Sequence, residues 1–377
     1  MTNKKQPKIA IVHDWITNKG GAERVVLAFH DAFPDAPIFT SVYTPENIDW
    51  FDGMDVRTTY LQDLPKILRK LHKFFPILRV RAFQKLDLSE YDIILSSCSA
   101  EAKQVKKTRP DQIHICYCHT PIRYYWSHYD EYRKNPGFGK LNWLVRLTMP
   151  LFVPPLRNTD FKAAQEIDFF IANSSEVKAR IEKYYKKPAI IINPPVDVKR
   201  FTPTSLKKRG DYYMAFSRQI PYKRIDLAIS AANELKLPLR VYGDGSEHQK
   251  LVDMAGPTVK FYPGDHDAIT KAFNSAKGYI FPAMEDFGIV QAESLASGTP
   301  VICYGKGGAL DIIRDGETGV YFNKQTTKSV ITAIKKAETI QFDPKLLNMR
   351  AKRFDAGLFV NKIKKVTLDH YYDKNRN

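Results

Sequence analysis

Pro194-Pro-Val-Asp-Val-Lys-Arg-Phe-Thr-Pro-Thr-Ser-Leu-Lys-Lys-Arg-Gly210 interrupts an otherwise regular chain. The stretch is proline-rich, polar and basic, the composition of a domain boundary. On both sides of it, short apolar runs alternate with amphipathic helical patterns. Strand patterns precede it at 8–15, 37–43, 92–97, 113–119, 169–173 and 189–193. They resume at 212–217, 238–243, 259–263, 278–282, 300–304 and 319–322. Runs such as Ala189-Ile-Ile-Ile suit parallel strands covered on both faces. Helical patterns at 22–33, 176–185, 224–236 and 328–338 complete the alternation of a doubly wound α/β sheet. At 377 residues the chain exceeds what one core supports. The expectation is two Rossmann-like parallel sheets of about six strands each, residues 1–195 and 196–355, facing each other across a cleft.

The balance of 58 Lys+Arg against 41 Asp+Glu leaves a formal charge of +17. Such an excess favours polyanionic partners: nucleic acid, an anionic membrane or phosphorylated ligands. No nucleic-acid motif is present, so no nucleic acid is expected as partner. Cys98, Cys116, Cys118 and Cys303 are too few and scattered for a disulfide framework. The C-x-C at Cys116 and Cys118 is a weak metal signature, and buried free thiols in a reducing compartment are expected. The N-terminal MTNKKQPKIAIVHDW holds too short an apolar run for a signal peptide, and nothing reaches the ~18 apolar residues of a membrane span. The protein is expected in the cytoplasm, with membrane contact only peripheral.

In open parallel sheets, ligands bind beyond the carboxyl ends of the strands. The first strand leads into Thr17-Asn-Lys-Gly20-Gly21-Ala-Glu23, whose adjacent glycines make either an anion site at a helix N-terminus or a tight turn. The spacing is not G-x-G-x-x-G, which disfavours a dehydrogenase. In Phe216-Ser-Arg218-Gln-Ile-Pro-Tyr-Lys223-Arg224-Ile-Asp226, Arg218 leaves a strand end and Lys223 and Arg224 open a predicted helix. Cations oppose the dipole there, so they are either solvated or placed for an anion. Gly243, in Val241-Tyr-Gly-Asp-Gly-Ser246, would let a backbone approach a ligand, and Gly305-Lys-Gly307-Gly308 is a further glycine-rich turn.

Glu285-Asp-Phe287-Gly288-Ile-Val-Gln-Ala-Glu293 runs from a loop into a helix predicted over 288–297. Eight helical positions span ~12 Å, beyond the roughly 5–9.5 Å of glycosidase carboxylates that share one bond. The pair therefore reads as two contacts along an extended ligand. A diphosphate grip with carboxylates placed for hydroxyls describes a nucleotide-sugar site. No Ser/His/Asp arrangement, metal cluster or D-x-D competes, so neither cofactor nor metal is expected.

This run resembles the E-x7-E motif of retaining GT-B glycosyltransferases of family 4. The segment 216–226, the glycines at 243–245 and 305–308, and Gly20-Gly21 fall in that family's order. Within the family, His13-Asp14-Trp15, Gly20-Gly-Ala-Glu23 and Cys118-His119-Thr-Pro-Ile-Arg-Tyr-Tyr-Trp126 most resemble bacterial mannosyltransferases of O-antigen and related surface polysaccharides. The resemblance implies that Arg218 and Lys223 hold the donor diphosphate and stabilise the leaving group. It places Glu285 on hydroxyls of the transferred sugar, Glu293 on the ribose and His119 facing the donor sugar. Backbone N–H groups near Phe287, Gly288, Gly307 and Gly308 support sugar and phosphate. Asp311 stands where the family more often places Glu. Transfer would retain the anomeric configuration without a protein nucleophile, with charge neutralisation in place of a metal and domain closure excluding water. The last helix, 356–377, would pack back on the first domain.

The segment 62–85 is the most polarised in the chain. Leu64, Ile67, Leu68, Leu71, Phe74 and Phe75 follow helical spacing, with Lys66, Arg69, Lys70 and Lys73 between them, and Pro76 divides it into two helices. It reads either as an interfacial binder of an anionic membrane, suited to a lipid-linked acceptor, or as a helix docked on the first sheet with a solvated basic face. The rival functions are an epimerase or sugar-phosphate synthase on the same fold, and a non-catalytic membrane- or glycan-binding protein.

Overall fold

The computed structural model describes residues 6–134, 139, 142–205 and 209–375. They form two compact units, Met1–Asn193 with Phe359–Asn377, and Pro194–Leu358.

In the first unit the strands are β1 (Ile9–His13), β2 (Ile38–Thr40), β3 (Val56–Thr58), β4 (Ile93–Cys98), β5 (Ile113–Cys118), β6 (Phe169–Ala172) and β7 (Ala189–Ile191). Among the described residues they make a parallel sheet in the order β3-β2-β1-β4-β5-β6-β7. Its helices are α1 (Gly21–Ala32), α2 (Lys66–Lys70), α3 (Pro76–Gln84), α4 (Tyr129–Lys134), α5 (Asn142–Gln165) and α6 (Ser175–Tyr185). The strand alternation explains why both faces are covered. Ile9, Ile11, Ile93, Leu95 and Ile115 pack with Val25 and Phe29 of α1, whereas Ala10, Val12, Ile94 and Cys116 pack with Phe83 of α3 and Val177 and Ile181 of α6. β3 was not anticipated, because Val-Arg-Thr is too short for an apolar run and an edge strand needs to bury little.

The second unit carries β8 (Tyr213–Phe216), α7 (Ile225–Leu235), β9 (Leu239–Tyr242), α8 (His248–Asp253), β10 (Val259–Tyr262), α9 (His266–Ser275) and β11 (Gly278–Phe281). It continues with α10 (Ile289–Ala296), β12 (Val301–Tyr304), α11 (Ala309–Ile312), β13 (Gly319–Phe322), α12 (Thr327–Glu338) and α13 (Pro344–Ala351). Its sheet, again parallel, has the order β10-β9-β8-β11-β12-β13. In each sheet the strand order reverses once, between β1 and β4 and between β8 and β11. A crevice for ligands opens at the carboxyl ends of strands where the order reverses.

The final helix α14 (Ala356–Lys374) belongs to the first unit from Phe359 onward, where Phe359 stacks on Phe29 with centroids 6.1 Å apart. The stretch at 194–210 is less detached than its composition implies. Val196, Val198 and Phe201 are buried in the core of the second unit, and Val196 exchanges backbone hydrogen bonds with Phe354 and Ala356. Arg209 is anchored as well, donating to the carbonyls of Ala276 (2.7 Å) and Ser297 (2.8 Å) and to Thr299 Oγ1 (2.5 Å). Burial without a carboxylate partner pushes its guanidinium down to about 10. Residues 206–208 lie outside the described part. All four cysteines are buried and unbridged. No helix among the described residues is long and apolar enough to cross a membrane.

Candidate active site

In the second unit, the loops after β8 and β11 meet at the reversal of strand order. Lys223 ends a short 3-10 turn after β8, and its ammonium pairs with the Glu285 carboxylate from the loop after β11. Both side chains are largely shielded. The predicted helix start at Arg224 shifts by one residue: Arg224 takes the left-handed conformation (φ 52°) and pairs with Asp226 at 3.0 Å, and α7 begins at Ile225. Beneath this junction, the Tyr279 hydroxyl donates to the Phe216 carbonyl at 2.9 Å, tying β11 to β8. Burial and the carboxylates of Glu285 and Glu293 push that phenol up. Arg218 is exposed, and among the described residues its guanidinium makes no ion pair.

The glycines bring neighbouring loops close together. A Cβ at Gly243 would stand 2.2 Å from the Ser217 carbonyl oxygen. The bare backbone of Gly243 thus lets the loop after β9 press against the loop after β8, where Gln219 N–H donates to Asp244 O at 2.8 Å. Gly307 (φ 65°) and Gly308 pack in the same way on the loop after β11. A Cβ at Gly307 would meet Glu285 O at 2.4 Å and one at Gly308 would meet Phe287 Cα at 2.3 Å, while Gly308 N–H donates to Glu285 O at 2.9 Å. These glycines bring loops together and fix the backbone that carries Glu285. Phe287 itself is buried in the core, edge-on to Phe354, and Gly288 (φ 98°) caps α10.

Glu293 sits in α10, almost wholly buried, 3.6 Å from Arg200 Nη2. Each carboxylate of the Glu285–Glu293 run therefore faces its own cation. Neither Arg200 nor Gln291 was foreseen. Gln291 is fully buried in the first turn of α10, and both its amide atoms lack hydrogen-bond partners among the described residues. An unsatisfied buried amide costs stability, so a ligand that supplies partners is favoured there.

The reversal point of the first unit carries a row of two histidines and a serine beside a buried carboxylate. His13 Nδ1, at the end of β1, lies 3.0 Å from the carbonyl oxygen and 3.2 Å from Oγ of Ser97 on β4. Ser97 Oγ lies 2.8 Å from Nε2 of His119, which follows β5. Asp14 is buried and accepts N–H groups of Ser99 (2.6 Å), Ala100 (2.9 Å) and Ala102 (2.7 Å), so its charge closes the turn after β4. Gly20 caps α1 in extended backbone and Gly21 opens the helix, with the Glu23 carboxylate folded back to within 2.5 Å of where a Gly20 Cβ would stand. Ser97 was missed because serine at a strand end carries no distinctive signal.

Below it lie two buried ion pairs that composition could not reveal. Arg79 donates to Glu101 at 2.7 and 2.9 Å, and Lys103 stands 2.5 Å from Asp160. Burial alone would weaken both cations, but the facing carboxylates more than offset it and keep them charged. Asp160 also accepts from Trp126 Nε1 and the Tyr185 hydroxyl, each at 2.8 Å.

The polarised segment forms two helices, α2 and α3, joined by a 3-10 turn at His72–Phe74. It is not docked on the sheet through its apolar stripe: Ile67, Leu68, Leu71, Phe74 and Phe75 are exposed. Lys66 and Lys70 are exposed too, while Arg69 donates to Gln62 O at 3.1 Å; the Lys73 side chain lies outside the described part.

Comparison with known proteins places these features. The "Glycosyltransferase Family 4" profile matches residues 19–200, and the "Glycosyl transferases group 1" profile matches residues 198–354. A D-inositol 3-phosphate glycosyltransferase of Nocardioides sp. is 25% identical over 215 residues, 48% of this chain and 44% of that protein. The chain thus spans about half the length of the curated relatives it matches. Among solved structures, sucrose-phosphate synthase from Thermosynechococcus elongatus superposes with a TM-score of 0.71 at 17% identity, covering 98% of this chain and 100% of that one. Anabaena Alr3699/HepE, solved with UDP and glucose, gives 0.65 at 17% identity over 96% and 99%.

Proposed function

From a chain that carries a Glycosyltransferase Family 4 domain followed by a Glycosyl transferases group 1 domain, on the fold of the GT-B enzymes, we propose a retaining, metal-independent hexosyltransferase. It moves a sugar from a nucleotide-sugar donor to a lipid-linked or glycan acceptor in bacterial surface-polysaccharide synthesis, with mannose from GDP-mannose as the first donor to test. The observation that carries the reading is the Lys223–Glu285 pair at the β8–β11 reversal, cradled by Gly307 and Gly308.

Lys223 and the exposed Arg218 supply positive charge for the departing diphosphate, and Glu285 takes hydroxyls of the sugar. As the anomeric C–O bond to the phosphate breaks, an acceptor hydroxyl bonds that carbon on the same face and its proton passes to the departing phosphate oxygen. Glu293, steadied by Arg200, takes the ribose hydroxyls, and His119 keeps the role of a sugar-facing group. Phe287, Gly288 and Gly243 support the donor through the loops they shape. A UDP-sugar donor is the second reading, favoured by the likeness to a protein solved with UDP and glucose.

A panel of GDP- and UDP-sugars in a melting assay tests this. The true donor at 100 times its Kd stabilises the protein by about 2.7 kcal/mol, and release of nucleoside diphosphate should rise when a lipid-linked acceptor is added. No shift with any nucleotide sugar, from a protein that melts cooperatively, would overturn the proposal. The exposed apolar and basic residues of α2 and the following turn support a peripheral membrane site for the acceptor.

A further inference from the structure

α5 carries an apolar face that the sequence reading passed over. At 100° per residue, Trp143, Leu144, Leu147 and Leu151 fall on one side of the helix, and Trp143, Leu147 and Leu151 are 64–70% exposed. The opposite side holds Val153, Asp160 and Ala164, all buried. The helix is therefore fastened along one face by a packed and ion-paired seam and presents large apolar side chains on the other. Its second half changes character: Asn158 and Lys162 occupy the outer face. Soluble surfaces rarely leave four large apolar residues in line without a partner for them.

A second exposed apolar patch lies in the same unit, on α2 and the turn after it, where Ile67 is 74% and Phe74 53% exposed beside the exposed Lys66 and Lys70. The two patches flank one strip of structure. Arg79 of α3 reaches the Tyr124 hydroxyl at 3.3 Å, and Tyr124 packs in the cluster that includes Val153 and Leu156 of α5. We infer that the outer face of α5 inserts into the acyl boundary of an anionic bilayer, beside the basic patch of α2. This rests on the membrane-peripheral reading above and adds the element that supplies apolar insertion.

The occupant follows from charge. Lys66 and Lys70 border the α2 patch, in a chain of net charge +17. A second copy of this chain would bring like charges face to face, whereas an anionic leaflet neutralises them and accepts tryptophan and leucine at its boundary. The division of labour also follows: attraction through α2 is screened by salt, and insertion of α5 is not.

The test is vesicle sedimentation with phosphatidylcholine vesicles, with and without phosphatidylglycerol, at low and high salt. Trp143→Gln/Leu147→Gln/Leu151→Gln should bind anionic vesicles at least about tenfold more weakly and lose all binding that survives high salt. Its melting temperature should match wild type, since the changed side chains are exposed. Lys66→Glu/Lys70→Glu should lose binding chiefly at low salt. Unchanged vesicle binding by the α5 variant overturns the inference. So does a wild-type dimer that the α5 variant alone dissolves while vesicle binding persists, which assigns the face to a second copy. Nucleotide-sugar stabilisation is measured on the same samples: its absence with intact vesicle binding removes the proposed enzyme and leaves this surface standing.

Discussion

The two units solve the same topological problem with opposite chemistry. Each sheet reverses its strand order once, and each places polar side chains at that point. In the second unit they are charged and face loops that glycines hold together: Lys223 with Glu285, Arg200 with Glu293. In the first they are the row His13, Ser97 and His119 beside the Asp14 carboxylate that backbone N–H groups hold, while two ion pairs are sealed in the interior. The difference is one of placement: ion pairs stand at the reversal point in the second unit and are sealed in the interior of the first.

The largest effect should come from unsealing the architecture. Lys103→Met leaves Asp160 buried without its cation and should destabilise by about 3–5 kcal/mol, read from denaturant unfolding. A cost under about 1 kcal/mol would mean that Trp126 and Tyr185 satisfy Asp160 unaided. Next, Glu285→Gln should lower kcat by about 100-fold or more with donor Kd nearly unchanged. Glu293→Gln should instead raise donor Kd by roughly tenfold, the loss of one charge-assisted hydrogen bond, with little change in kcat. Equal kcat losses in both variants at constant Kd would abolish the distinction between the two carboxylates.

In the His13–Ser97–His119 row, Ser97→Ala removes the hydroxyl that reaches both rings and should cost about three- to tenfold in kcat, because the His119 backbone stays anchored on Cys98 O at 2.8 Å. A separate prediction concerns pH dependence. Burial pushes His114 down from its ordinary 6.5 to about 3, with its Nε2 2.8 Å from Ser96 Oγ. The unfolded chain therefore binds the extra proton first. Stability is full above pH 6.5 and falls as pH drops from there toward 3, by at most about 1.4 kcal/mol per pH unit. His114→Asn should flatten the melting temperature across that window.

The parallel strands were legible because runs such as Ile9–His13 and Ile113–Cys118 lie buried between helices, whereas Ile190 and Ile191 of the edge strand β7 are exposed although their run reads as one covered on both faces. The loops carrying Lys223 and Glu285, and the helix carrying Glu293, were legible because glycine and proline mark where each strand ends and the helix begins and stops. Arg79, Lys103 and Arg209 were not, since a buried cation and a solvated one are spelled alike. The apolar stripe of α2 was visible, but whether it was docked or exposed was not, and the face of α5 was hidden among three prolines at 150, 154 and 155.

Local pattern alone determined that this chain makes two parallel α/β sheets with glycine-rich loops at strand ends, because hydrophobic period and backbone freedom act over a few residues. Which cation meets which carboxylate, which glycine serves a neighbouring loop, and which apolar face stays bare were decided only by the tertiary structure. Those pairings join residues as far apart as 93 positions, Arg200 and Glu293 among them, and only the folded packing sets their distance and their access to water.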